Sequence, residues 1–298
     1  MMTIKLFVHG GQRHLSWQCT PCFLPPRRKC GRLLLQQRCY LGIKYSRQKV
    51  VSYSKQDIPV LERRSIEELY DDLAERLLSI TTTVNNFNEK YIIGLAGPPG
   101  AGKSTLAAQV IQRLNKISCH KNTDTDSGVE NDVIAAVLPM DGFHLYRSQL
   151  DAMEDPEEAH ARRGAPWTFN PDLLLKCLRS LRSQGSVYAP SFDHGVGDPV
   201  ENDVYIGTRH KIVIVEGNYL FLEEGVWKEV CSIFDQKWFI DINLDISMQR
   251  VLKRHISTGK DHDGAKWRVE YNDRPNAELI IKSKHNADLI IKSVDFQS

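Results

Sequence analysis

The stretch YIIGLAGPPGAGKST, residues 91–105, decides the fold. Tyr91–Ala96 reads as a short apolar strand, and the residues from Lys103 to Leu114 read as a helix. Between them Gly97–Ser104 has the spacing G-x-x-x-x-G-K-[ST] in the strand–loop–helix setting that gives this spacing meaning. Glycines let the backbone curl until successive N–H groups face one anion. The helix that follows presents its positive end to the same anion. Gly97, Pro98, Pro99, Gly100, Ala101, Gly102, Lys103, Ser104 and Thr105 are therefore candidate nucleotide-binding residues. Lys103 can reach the outer phosphates, and the Ser104 hydroxyl can serve Mg²⁺.

Working outward, strand-like and helix-like segments alternate. A helix is expected from Ser65, which with Glu68 has capping-box spacing, and the folded body is expected to start there. Further strands are expected at 133–138, 212–215, 238–242 and 289–291. A helix capped by Asn170, with Pro171 at its first position, is expected to run to about residue 182. Residues 118–132 are polar and rich in Asp and Asn, which reads as a surface loop. Five apolar strands separated by helices predict an α/β fold with a five-stranded parallel sheet flanked by helices.

Two acids stand where such a sheet places ligands. Asp141 follows the apolar run Val137-Leu138, and a carboxylate beside the outermost phosphate can take the proton of an attacking hydroxyl. Glu216 ends the run Ile212-Val-Ile-Val215 and can face a metal or its waters. A hydrolytic ATPase motif would end in Asp-Glu, but Val215 occupies the Asp position, and no guanine-reading Asn-Lys-x-Asp occurs. Farther on, Arg250, Arg254 and Lys260 form a basic run that can fold over phosphates as a lid, neutralising charge and excluding water.

The charge is divided along the chain. Residues 1–55 hold eleven of the 39 Lys and Arg and none of the 37 Asp and Glu, so the remainder, with 28 bases, carries −9. That body is too acidic for a general nucleic-acid binder. No apolar run reaches the ~18–20 residues of a membrane-spanning helix, so no membrane partner is expected. The acid-free, Arg-containing start reads as an organellar transit peptide, with a disordered basic extension as the alternative. A chloroplast is favoured over a mitochondrion, and a cytoplasmic location follows if the segment is no transit peptide. Cys19, Cys22, Cys30 and Cys39 lie there without the second close pair that a zinc site needs.

With these residues in hand, the chain resembles the uridine kinase/phosphoribulokinase/type-I pantothenate kinase family of P-loop kinases, in its uridine-kinase-like branch. The likeness spans about residues 65–292. It rests on Gly97–Ser104, Met140–Phe143, Arg162–Asn170, Tyr188–His194, Val213–Gly217 and the basic run Arg250–Lys260. It implies a P-loop NTPase fold for residues 56–298 and transfer of the ATP γ-phosphoryl group to a small-molecule hydroxyl with Mg²⁺. It maps the catalytic base onto Asp141 and the strand-end acid onto Glu216. Lys103, Arg250 and Arg254 would complete the catalytic set, with Ser104 and Glu216 on the metal. The acceptor pocket would draw on His144, Tyr146, Arg162, Arg163, Trp167, Phe169, Asp193 and His194.

Where uridine kinases carry an acid two residues before a His-Pro, this chain has Arg163-Gly164-Ala165-Pro166, and Asn170 replaces an acid. Met140-Asp-Gly-Phe143 looks more like the pantothenate kinase version. The Arg162-Arg163 pair suits an acidic or phosphorylated acceptor. The acceptor is thus expected among nucleosides, pantothenate-like compounds, sugars and sugar acids, and a homodimer is compatible with the reading. A P-loop ATPase switch and a non-catalytic nucleotide-binding module are the rivals. Residues 147–165, polar and charged, are expected to act as a flap that orders with substrate.

Overall fold

Strand β1 (Val60–Leu61) precedes helix α1 (Ile66–Thr81), whose amphipathic face buries Leu69, Tyr70, Leu73 and Leu77. At its start Ser65 Oγ accepts the Glu68 N–H at 3.2 Å, the side-chain half of the expected cap. This computed structural model describes residues 57–81, 89–122 and 133–293. The basic segment 1–55 with its four cysteines lies outside them.

Strand β2 (Tyr91–Ala96) leads into α2 (Lys103–Asn122), eight residues longer than the sequence reading. The added turns use the polar residues assigned to a loop, whose remainder lies outside the described residues. Next come β3 (Ala135–Pro139), a single 3₁₀ turn (Met140–Phe143), and short helices α3 (Arg147–Asp151) and α4 (Pro156–Ala161). Helix α5 (Pro171–Gln184) is capped as expected, Asn170 Oδ1 accepting the Leu173 N–H at 2.9 Å. An antiparallel hairpin follows, β4 (Val187–Asp193) and β5 (Asp198–Ile206). Then come β6 (Ile212–Gly217), α6 (Gly225–Ile233), β7 (Gln236–Asp241), α7 (Leu244–Ser257) and α8 (His262–Arg268). A π-helical turn (Val269–Asp273), α9 (Arg274–Lys282) and β8 (Leu289–Lys292) complete the described chain.

The main sheet is parallel, in the order β1-β8-β7-β2-β6-β3. It has six strands rather than five because Val60 and Leu61 pair with Ile290 and Ile291. Alternate strand residues feed two cores, as the two-residue repeat of a pleated strand requires. Ile92, Val213 and Val215 point to the layer of α5 and α6, while Ile93, Leu95, Ile212 and Ile214 point to that of α1 and α2. Sealed on both faces, the sheet leaves the carboxyl ends of its strands as the place for a crevice.

Candidate active site

Between the end of β2 and the start of α2 the backbone turns sharply through two left-handed residues, Gly100 (φ +79°) and Gly102 (φ +89°). Helix α7 is seated on that turn. Ser247 Oγ donates to the Pro99 carbonyl at 2.5 Å and Arg250 Nη1 to the Gly100 carbonyl at 3.3 Å. A side chain at Gly100 would stand 2.8 Å from the Ser247 carbonyl oxygen, so close seating also requires glycine.

Sheet register brings the two acids to the loop. Leu95 of β2 and Pro139 of β3 both align with Glu216 of β6, which places that carboxylate between the loop and the 3₁₀ turn bearing Asp141. Ser104 Oγ donates to Glu216 Oε1 at 2.9 Å. Lys103 Nζ, buried, donates to the Gly97 and Pro98 carbonyls at 3.0 and 3.1 Å. A cleft of about 400 Å³ is lined by Lys103, Ser104, Thr105, Asp141, Glu216, Arg250 and Arg254. Asn218, two residues beyond Glu216, also lines it and was missed in the sequence, although its place just past a strand end is a usable signal. Lys260, beyond the turn at Gly259, is exposed and is not among the lining residues.

Burial and charge oppose one another in this cleft. Burial raises the Glu216 carboxyl and the Asp141 charge adds to that, while Lys103 and the Ser104 hydrogen bond pull it down; the net direction is up. Burial lowers the Lys103 ammonium, Glu216 and Asp141 resist, and Arg254 adds to the lowering. A polyanion beside Lys103 and a cation beside Glu216 would each favour the charged form against that burial. Ser104 Oγ and a Glu216 oxygen are the kind of donor that Mg²⁺ takes while filling its remaining positions with phosphate and water.

Beside the cleft, a groove of about 290 Å³ shares Gly100, Gly102, Thr105 and Arg250 with it. Its walls include Tyr70, Leu69, Leu106, Ile240 and Ile291, so α1 forms one side.

On the other side of Asp141, the His144 ring lies 3.9 Å from that of Phe169 and 4.6 Å from that of Phe192. His144 Nδ1 meets the Asp141 carbonyl oxygen at 2.8 Å. A carbonyl only accepts, so Nδ1 carries the proton and Nε2 is left as an acceptor. Burial lowers this imidazole against the Asp141 charge and hydrogen bond, and Arg163 and His194 add to the lowering. A cavity of about 310 Å³ is lined by His144, Tyr146, Gly142, Asn170, Tyr188 and Glu201, among others. Tyr146 Oη donates to Glu201 Oε1 at 3.0 Å.

The other acceptor residues are more scattered. Arg163 reaches the Leu145 carbonyl at 2.9 Å and Asp198 at 3.1 Å, over the face of Phe192. Arg162 turns away and donates to the Tyr271 carbonyl, so the two arginines form no common clamp. They are consecutive residues at a helix end, where successive side chains diverge by about 100°. Trp167 is half exposed, and Phe169 is a core residue packed edge-on against Tyr219 and Trp227. Asp193 spends Oδ1 on the Gly195 and Val196 N–H groups at the hairpin tip, bonds that hold its carboxyl below the usual range. His194 is exposed beside it, edge-on to Phe192 at 5.2 Å.

A family model described as "Phosphoribulokinase / Uridine kinase family" matches residues 92–298. A Schizosaccharomyces pombe protein with the provisional name uridine kinase C227.14 is 34% identical over 229 residues, 76% of this chain and 91% of its own length. YggC of Escherichia coli, an uncharacterized protein, is 30% identical over 240 residues, 78% of this chain and 90% of its own. The crystal structure of YFH7 from Saccharomyces cerevisiae superposes with a TM-score of 0.61 at 24% identity, covering 76% of this chain and 98% of that one, a likeness of fold.

Proposed function

The chain belongs to the phosphoribulokinase/uridine kinase family, and on that premise we propose that it transfers the γ-phosphoryl group of ATP to a hydroxyl of a small polar molecule. The observation that carries this reading is a single cleft lined by the phosphate loop, Asp141, Glu216, Arg250 and Arg254. The loop and Lys103 bind the triphosphate. Ser104 and Glu216 hold Mg²⁺, which when bound screens the phosphate oxygens and orients them. The apolar groove beside α1 seats the base. Asp141 takes the proton of the acceptor hydroxyl as its oxygen bonds to the γ-phosphorus, and the electrons of the broken bond leave with ADP. Lys103, Arg250 and Arg254 offset charge on the group in transit.

The acceptor lies on the His144 side of Asp141. The neutral ring of His144 offers a lone pair there, and Tyr146, Asn170 and Glu201 offer further polar groups. These suit a polyhydroxylated molecule, and the parting of Arg162 from Arg163 weakens the case for an acidic one. Neutral sugars and nucleosides therefore stand ahead of sugar acids and pantothenate-like compounds. The test is labelled ATP with the full chain and a panel of these acceptors. Transfer to one of them is expected; phosphate release to water alone, unchanged by every acceptor, refutes the reading and favours an ATPase switch.

A further inference from the structure

At the end of helix α4 the Arg162 and Arg163 N–H groups reach the Glu158 and His160 carbonyls. Its last carbonyls are gathered further by Arg268, more than a hundred residues later at the end of α8. Arg268 Nη1 donates to the His160 and Ala161 carbonyls at 3.2 and 2.8 Å, and Nη2 to the Arg163 carbonyl at 2.7 Å. A guanidinium at a helix C-terminus satisfies orphan acceptors and complements the negative end of the dipole. Three more contacts follow the same seam. Asn272 Nδ2 donates to the Arg163 carbonyl at 3.0 Å, Tyr271 Oη to Glu158 at 2.6 Å, and Arg162 to the Tyr271 carbonyl. They spring from α8 and the π-helical turn, a form often found at functional sites.

That turn is in turn fixed to the helix on the phosphate loop. Val269 packs with Met248 and Val251 of α7, and His255 Nε2 lies 2.7 Å from Asp273. Helix α7 carries Arg250 and Arg254 into the cleft. At the far end, the Arg163 side chain runs to the Leu145 carbonyl beside His144, and the Gly164 carbonyl accepts Tyr219 Oη at 2.5 Å. Part of the 147–165 segment, expected to act as a flap that orders with substrate, is thus bonded to the unit that carries Arg250 and Arg254.

We propose that residues 156–165 and the α7–α9 unit move as one body, with Arg268 the positioning residue that couples nucleotide at the phosphate loop to the shape of the acceptor site. Nucleotide binding engages Arg250 and Arg254, settles α7, and through Arg268 orders the residues that hold Arg163 and His144. This goes beyond the reaction proposed above and rests on that reading only in needing a nucleotide at the loop.

Amide hydrogen exchange of the full chain, with and without Mg·ADP, tests it. ADP is expected to slow exchange at residues 156–165 by about fivefold or more, the low end of ordinary coupling. In Arg268→Met, folded by its melting curve and binding ADP by calorimetry, the slowing is expected to vanish. Arg268→Lys, one ammonium where a fork met three carbonyls, is expected to restore part of it. Tyr271→Phe, which removes only the exposed tether to Glu158, guards against an unfolded Arg268 variant and is expected to reduce the slowing. Equal slowing in every folded variant overturns the coupling, as does ADP that binds the native chain and leaves 156–165 unchanged. Failure of ADP to bind the native chain would instead strike the kinase reading.

Discussion

Gly142 follows the proposed base and is the most crowded position in the site. A Cβ there would lie 2.0 Å from the Pro190 carbonyl oxygen, 2.6 Å from its carbon and 3.1 Å from the Ser191 nitrogen. All three are backbone atoms of β4, so no side chain can swing aside. Carbon and oxygen in contact settle near 3.5 Å, so Gly142→Ala must part the 3₁₀ turn from β4 by more than 1 Å. Gly217 supplies the comparison. A Cβ there would meet Met140 Cβ, Sδ and Cγ at 2.5, 2.7 and 3.0 Å; the thioether end can turn, but Met140 is buried and its Cβ is fixed to the 3₁₀ turn, so the turn must shift here too, by less than at Gly142. Overpacking costs about 1–3 kcal/mol, and Gly142→Ala belongs at the top of that range with Gly217→Ala below it. For a body of this size about 3 kcal/mol lowers the melting temperature by roughly 6–12 °C. Because the displaced turn carries Asp141, turnover should fall by about 10²-fold as well, the scale of a 1 Å misplacement. Calorimetric melting of both variants, followed by phosphoryl transfer at saturating ATP, reads the two effects. If Gly142→Ala melts within a degree of the native chain, or loses less activity than Gly217→Ala, the close contact between the 3₁₀ turn and β4 is not what positions the base.

Asp141→Asn should keep nucleotide affinity and lose about 10²–10⁴ in turnover, measured by calorimetry with ADP and by labelled transfer; retained turnover refutes the base assignment. Ser104→Ala and Glu216→Gln should each weaken Mg²⁺ dependence of nucleotide binding by about tenfold or more, read from Mg²⁺ titrations at fixed ATP, and unchanged titrations would move the metal elsewhere. Lys90 is buried, bonded to the Gly207 and Thr208 carbonyls, and burial lowers its ammonium to about 8. Its folded value thus lies below its unfolded one, the unfolded chain holds the extra proton between them, and native stability rises with pH across that window. The difference in denaturant midpoint between the native chain and Lys90→Met should therefore grow in favour of the native chain from pH 8 to 10, and a flat difference defeats the assignment. Residues 1–60 fused to a fluorescent protein should concentrate in chloroplasts; a diffuse cytosolic signal rules out a targeting role.

What the sequence made legible was what depends on local spacing. The glycine pattern of 97–104 and the apolar runs ending near Asp141 and Glu216 are complete within a few residues, and the sheet register then joins them. What it hid depends on partners far along the chain. Val60 and Leu61 are too short a run to read as a strand until β8 lies beside them. The hairpin was obscured by Pro190, which interrupts β4 where the register shifts between Ala189 and Ser191. Phe169 taken alone reads more readily as core than as pocket wall, and its contacts with Tyr219 and Trp227 put it in the core. Arg162 and Arg163 look like a pair in one dimension, but the end of α4 sends them to different neighbours. Helix α2 outran its apolar pattern because polar residues such as Lys116 continue a helix at little cost.

The pairing of the two acids argues for transfer over hydrolysis in a way neither does alone. Glu216 is buried, anchored by the Ser104 hydroxyl and raised chiefly by burial, an oxygen donor whose charged form a cation would favour. With Oε1 tied to Ser104 beside the phosphate loop, and absent from the lining of the acceptor-side cavity, Glu216 is the worse placed of the two acids to receive the acceptor's proton. Asp141, on a turn beyond its strand, lines the same cleft and is next to Gly142, which lines the cavity on the acceptor side. A water molecule needs no shaped room, whereas an alcohol does, and the proposed room is the cavity lined by His144, Tyr146 and Glu201, with Tyr146 tied to Glu201. Lys103, Arg250 and Arg254 line the same cleft, so in the proposed transfer positive charge would meet the departing nucleotide while Asp141 meets the arriving hydroxyl. Exchanging the two roles would put the metal beside the acceptor cavity and the proton's destination beside Ser104, away from it.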